Sequence, residues 1–155
     1  MCSSDLLLEF GELATKSSTA FQQLRDARET VALVNKTLVN LPDTTQANLK
    51  KHGKRLLDSL DRLEKLFMMP EGLKGIQRSS DNLNNDLYTV SRYLYAGDGA
   101  PNGNAVIALR LAEQRARTVF GEIETFFTGD WMDYRKAVLD ARAEIFGGYE
   151  AVRLE

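Results

Sequence analysis

From Leu6 onward the apolar residues fall at alternating steps of four and three: Leu6, Phe10, Leu13, Ala20, Leu24, Ala27, Val31, Val34, Leu38 and Leu41, with Ser17 the polar member of the series. Such steps return to one side of an α-helix, and their unbroken alternation is the seam of a helix packed in coiled-coil fashion. The spacing predicts a first helix over about 6–41, roughly 50 Å long at about 1.5 Å per residue. Pro42 ends it, because proline brings no N–H to the helical ladder. Asp43, followed by Gln46, has the form of a capping box and opens a second helix. Its seam is Leu49, Gly53, Leu56, Leu60, Leu63 and Phe67, over about 44–67. So short a connection predicts an antiparallel hairpin. On the solvent side, Asp58 with Arg62 and Asp61 with Lys65 are spaced as i,i+4 ion pairs.

The stretch MMPEGLKGIQRSS (68–80) carries a proline and two glycines and reads as a connection across the bundle. Ser80 or Asp81 then caps a third helix over about 81–95, through Leu83, Leu87, Val90 and Leu94. AGDGAPNGN (96–104) breaks the pattern, and a fourth helix follows over about 104–128. It runs through Val106, Leu109, Ala112, Ala116, Phe120, Ile123 and Phe127. Gly129 and Asp130 mark a kink or cap before a C-terminal helix over about 130–146, through Trp131, Tyr134, Val138, Ala141 and Ile145. Gly147 and Gly148 end it. No strand-like alternation occurs. The expected fold is all-α, an antiparallel bundle of four main helices plus the C-terminal one.

Composition agrees with a folded domain: of 155 residues, 43% are hydrophobic and 27% charged. The net charge of −2 offers no general attraction to a phosphate backbone, so nucleic acid is not an expected partner. No apolar run approaches the ~20 residues of a membrane span. Cys2 is the lone cysteine, which leaves no intrachain disulfide and no cysteine-based metal cluster.

Four groups of side chains bear on chemistry. His52 is the single histidine and lies on a helix of a helical bundle, the setting of phosphotransfer domains. Those place a lysine and a small residue after the histidine, whereas here Gly53 precedes Lys54. Lys50, Lys51, Lys54 and Arg55 surround it as a basic run, but Asp58, Asp61 and Glu64 follow and cancel the field, as on a solvated helix face. Glu122, Glu124, Asp130 and Asp133 are the local carboxylates. Acid–base hydrolysis needs two carboxyls facing across a cleft with one raised in pKa, and capping plus surface positions account for all four. Finally, Phe126, Phe127, Trp131 and Tyr134 fall on roughly one helix side, first as core and alternatively as a docking surface. No catalytic residues, metal ligands, cofactor or small-molecule substrate are expected.

Residues 82–138, with Leu83, Asn84, Asn85 and Leu87 on the third helix, Ala100 and Pro101 in the loop and Asp130 before the last helix, resemble the C-terminal helical region of sortilin-like, Asp-box (BNR) repeat proteins, often labelled glycosyl-hydrolase-like. Asn102 stands where that family usually has Thr, and both are good N-caps. The resemblance implies a β-propeller preceding this region, bearing any ligand site, and a location in the periplasm or at the cell surface. The opening residues MCSSDL are similar to a translated sequencing adapter: TGC-TCT-TCC-GAT-CT reads Cys-Ser-Ser-Asp-Leu, and the preceding GTG can be read as a start. Residues 1–6 are on that reading not native, and 7–155 form one helical domain from a larger protein. The other reading has Ser3, Ser4 or Asp5 as the cap of the first helix. The function expected is a non-catalytic accessory domain that supports the propeller or mediates protein contacts. The alternative is a free-standing signalling or adaptor bundle, at its sharpest a phosphotransfer domain using His52.

Overall fold

The stripe that opens at Leu6 is the spine of the structure, a computed structural model that describes residues 3–68, 81–96, 103–145 and 151–154. Helix α1 (Ser3–Thr37) continues into a 3-10 turn (Leu38–Asn40), and α2 (Asp43–Phe67), α3 (Leu83–Tyr95), α4 (Gly103–Thr128) and α5 (Asp130–Ile145) follow. The described residues are all-α, and the chain is a helical bundle. Leu6, Leu13, Ser17, Leu24, Ala27, Val31, Leu38 and Leu41 are buried, and Phe10, Ala20 and Val34 pack half-buried against them. Ser17 is tolerated in this seam because its hydroxyl donates to the Leu13 carbonyl at 2.8 Å.

The turn between α1 and α2 differs in detail from the expected capping box. Pro42, in extended conformation, is the boundary residue of α2, and no side chain caps the helix there. Asp43 is already helical, and the Gln46 side chain donates to the Leu41 carbonyl at 3.0 Å instead of returning to a cap N–H. The hairpin itself forms as expected: Phe21 of α1 meets Phe67 of α2 with ring centroids 5.5 Å apart, and Arg28 binds Glu64 at 3.2 Å and also Asp61. The acids of α2 therefore reach across to α1, and Arg62 reaches Glu122 of α4 at 3.4 Å, where i,i+4 pairs along α2 were expected.

Contacts between elements fix the arrangement. Arg110 of α4 binds Glu9 of α1 at 2.8 Å, while Ala27 and Thr30 of α1 share a groove with Phe127 and Trp131, so α1 runs parallel to the α4–α5 unit. Helix α2 is antiparallel to both, with Arg62 beside Glu122 and His52 beside Tyr134. Helix α3 is also antiparallel to α4, with Asp86 on Arg115 and Tyr93 near Asn104. The two shorter helices thus follow one another along the two long units, and each level of the bundle is three helices in cross-section. Lengths agree: at about 1.5 Å per residue, the 35 residues of α1 match the 25 of α2 and 13 of α3 laid in series.

Helices α4 and α5 are one helix bent at Gly129. The ladder persists through the junction, with Gly129 N–H donating to Thr125 at 3.0 Å and Asp133 N–H to Gly129 at 3.1 Å. A Cβ on Gly129 would lie 3.0 Å from the Thr125 carbonyl oxygen, so a bend this tight favours glycine. Thr125 and Thr128 also donate their hydroxyls back to the Gly121 and Glu124 carbonyls, a habit that bends helices.

Two expectations near α3 and α4 are corrected. Asn82 caps α3, its Oδ1 accepting from the Asn85 N–H at 2.8 Å, where Asp81 was a candidate; Ser80 lies outside the described residues. The buried face of α4 is Ala105, Ala108, Leu109, Ala112, Ala116, Val119, Ile123 and Phe126, while Val106, Phe120 and Phe127 are half-buried at its margin. Helix α4 touches neighbours on two sides, so its buried arc is wider than a single seam.

Candidate functional site

The aromatic cluster at the bend is the first place to look for a site, and the structure divides it. Consecutive helical residues point about 100° apart, so Phe126 and Phe127 cannot share one face. Phe126 and Tyr134 are core residues, whereas Phe127 and Trp131 are half-buried. The four rings form a chain of tilted and edge contacts, with Phe127 to Trp131 at 5.8 Å and Trp131 to Tyr134 at 6.2 Å. Trp131 and Phe127 line an open groove of about 400 Å³ whose other wall is Gln23, Asp26, Ala27 and Thr30 of α1. As a docking surface the expected set therefore reduces to Phe127 and Trp131.

His52 lies close by on α2, half-buried, with its ring edge-on to Tyr134 at 5.3 Å. Burial lowers its pKa from the ordinary 6.5, and the Arg55 charge lowers it further, against the weaker opposite pull of Asp133 and Asp130. The neutral imidazole is thus favoured. Tyr134 is raised from its ordinary 10.0 by burial. Lys50, Lys51, Lys54 and Arg55 are exposed on the outer side of α2. Glu122 is engaged with Arg62, while Asp130 and Asp133 stand exposed in the first turn of α5. Glu124 is exposed on α4. Among the described residues no group of three or more His, Cys, Asp or Glu could hold a metal ion.

Of the residues that carry the family resemblance, the described ones lie at two places in the bundle. Leu83 is buried, Leu87 and Asn85 are half-buried, and Asn84 is exposed, all at the start of α3. Asp130 lies at the far end, near His52. Ala100, Pro101 and Asn102 fall outside the described residues. The described members of the set, at the start of α3 and the start of α5, do not converge on one site.

A second surface was not anticipated. Tyr93 of α3 and Ile107 and Leu111 of α4 are exposed and line a cavity of about 230 Å³ between the two helices, beside Asp86 and Thr89. Tyr88 and Tyr95 are exposed elsewhere on α3. Ile107 and Leu111 are one turn apart and off the α4 seam, a spacing by which the sequence could have revealed them.

No helix among the described residues is long and apolar enough to cross a membrane. Compared with protein-family models, with curated proteins and with solved structures, the chain matches none.

Proposed function

We propose that the chain is a non-catalytic helical accessory module that makes protein contacts, and that its partner is a β-propeller of the same sortilin-like, Asp-box protein, of which it is the C-terminal part. The observation that carries the reading is the groove between α1 and the α4–α5 unit. Neighbouring helices α1 and α4–α5 leave a furrow between them. Here the furrow exposes the flanks of Phe127 and Trp131 beside Ala27, with a polar margin of Gln23, Asp26 and Thr30. Aromatic rings in a partly desolvated furrow with a polar rim are the anchors that protein partners use. The resemblance of residues 82–138 supplies the identity of the partner, and with it a periplasmic or cell-surface location.

The test begins with the coding sequence upstream of Leu7, which on this reading encodes Asp-box repeats in frame. The propeller so encoded, produced separately, should bind the chain and shift the emission of Trp131, its one tryptophan, to shorter wavelength. Trp131→Gln combined with Phe127→Gln should abolish binding without unfolding the bundle. A propeller that leaves the emission unchanged and does not co-elute would overturn the reading. Stoichiometric phosphorylation by acetyl phosphate, lost in His52→Ala, would move the assignment to phosphotransfer.

A further inference from the structure

Gly53 is the one position in the α2 seam without a side chain, and three groups from other helices converge on the space that a side chain would occupy. A Cβ there would lie 3.2 Å from Val31 Cγ1, 3.5 Å from the Tyr134 hydroxyl and 3.7 Å from Asn35 Oδ1. Tyr134 is only 2% exposed. Its hydroxyl and Asn35 Oδ1 are both buried, and neither has a hydrogen-bond partner in the protein. A buried hydroxyl and a buried amide oxygen left unpaired each cost free energy, and native proteins rarely keep two such atoms facing one small space. Neighbouring core groups are apolar: Val31 on α1, and Leu49 and Leu56 one turn either side of Gly53.

We propose that the Gly53 notch is a binding site for one internal water molecule, which accepts the hydrogen bond of the Tyr134 hydroxyl and donates to Asn35 Oδ1, so joining α1, α2 and α5 through a single solvent atom. The donor and acceptor roles fit: the phenol has a proton to give and the amide oxygen can only accept. A site lined by two polar atoms and a missing Cβ has the character of those that hold ordered water. Glycine is retained in the helix because any Cβ competes with that molecule for the same space.

The test compares two substitutions that carry the same Cβ. Gly53→Ala and Gly53→Ser meet Val31 identically, so steric cost cancels between them. Alanine is the better helix former, yet only serine supplies a hydroxyl in place of the displaced water. Gly53→Ser is therefore expected to melt about 2 °C or more above Gly53→Ala, on the scale of roughly 2–4 °C per kcal/mol for a chain of this size. In a Tyr134→Phe background the order should reverse. Tyr134→Phe alone should lower the melting temperature, and magnetisation transfer from water to the ring protons of Tyr134 should be detectable by NMR in the parent. An alanine variant that melts at or above the serine variant in the parent background would show that no bridging water is lost when a Cβ fills the notch. A Tyr134→Phe variant that melts higher would show that the hydroxyl is unpaired. Either result overturns the water site.

Discussion

The two ends of the bundle are built on the same three-helix plan with different side chains. Where α2 packs between α1 and α5, the core is made of large residues: Leu24, Val31, Leu38, Leu56, Leu60 and Tyr134, with Gly53 the one gap. Where α3 packs on α1 and α4, the α4 face is mostly alanine, with Ala105, Ala108, Ala112 and Ala116 beside Leu109, and α3 brings Leu83 and Val90. Large side chains bury more area per residue, so stability accumulates at the α2 end. Alanines let α3 lie close to α4 but bury little, and 13 residues make a helix that is marginal by itself. The α3 end relies more on its cap and on Arg115, which binds Asp86 and lies 3.9 Å from Asp81. The lesson is that even cross-section does not mean even stability.

The sharpest way to break this contrast is at Leu60, fully buried in α2. Leu60→Ala should cost about 2–5 kcal/mol, read as a lowered midpoint in denaturant unfolding followed by helical circular dichroism. Leu83→Ala in α3 should instead raise amide exchange in α3 first. Equal losses spread over the whole chain would show that the two ends unfold as one unit. Next comes Gly53→Leu, where Val31 already stands 3.2 Å from the first added carbon. Overpacking should cost about 1–3 kcal/mol; a variant that melts above the parent would mean that the notch opens to solvent.

A smaller effect tests the α3 end. Asn82→Ala removes the cap on the Asn85 N–H and should cost about 1 kcal/mol. Its loss should be concentrated in hydrogen exchange of residues 83–90, with α2 unaffected.

The smallest effects are in pH. Tyr134 is raised by burial, so the stability tied to its neutral form is complete below its ordinary 10.0 and is lost as pH rises beyond that value toward the folded pKa. Phenolate absorbance should show Tyr134 ionising together with alkaline unfolding, and Tyr134→Phe should remove that component. His52 is lowered, first by burial and then by Arg55. Its contribution is complete above 6.5 and declines as pH falls through that value toward the folded pKa. Melting temperature should therefore slope more gently on the acid side in His52→Gln. An unchanged slope would place the imidazole in solvent.

How much of this was legible differs along the chain. The seams of α1 and α2 could be read residue by residue, because each helix buries one side and leucine and valine at steps of four and three announce it. The face of α4 could not be read so well. It meets neighbours on two sides, and Ala105, Ala108, Ala112 and Ala116 carry a weak hydrophobic signal. The aromatic cluster looked like one helix side because Phe127, Trp131 and Tyr134 follow at steps of four and three, yet the 100° step from Phe126 to Phe127 sends one inward and one to the groove. Helix starts shifted by one residue, from Asp43 to Pro42 and from Asp81 to Asn82; at α3 several polar residues compete for the cap, while at α2 no side chain caps.

Sequence alone determined that the chain is helical, where α1 gives way to α2 and which residues of α1 and α2 are buried. These are consequences of local periodicity, which the order of residues contains. Only the tertiary structure decided that α2 and α3 stand in series along two long units, that Gly129 bends one helix instead of separating two, and that Tyr134 and Asn35 meet over Gly53. Those outcomes depend on which helix lies beside which, and on the space left between side chains far apart in the chain.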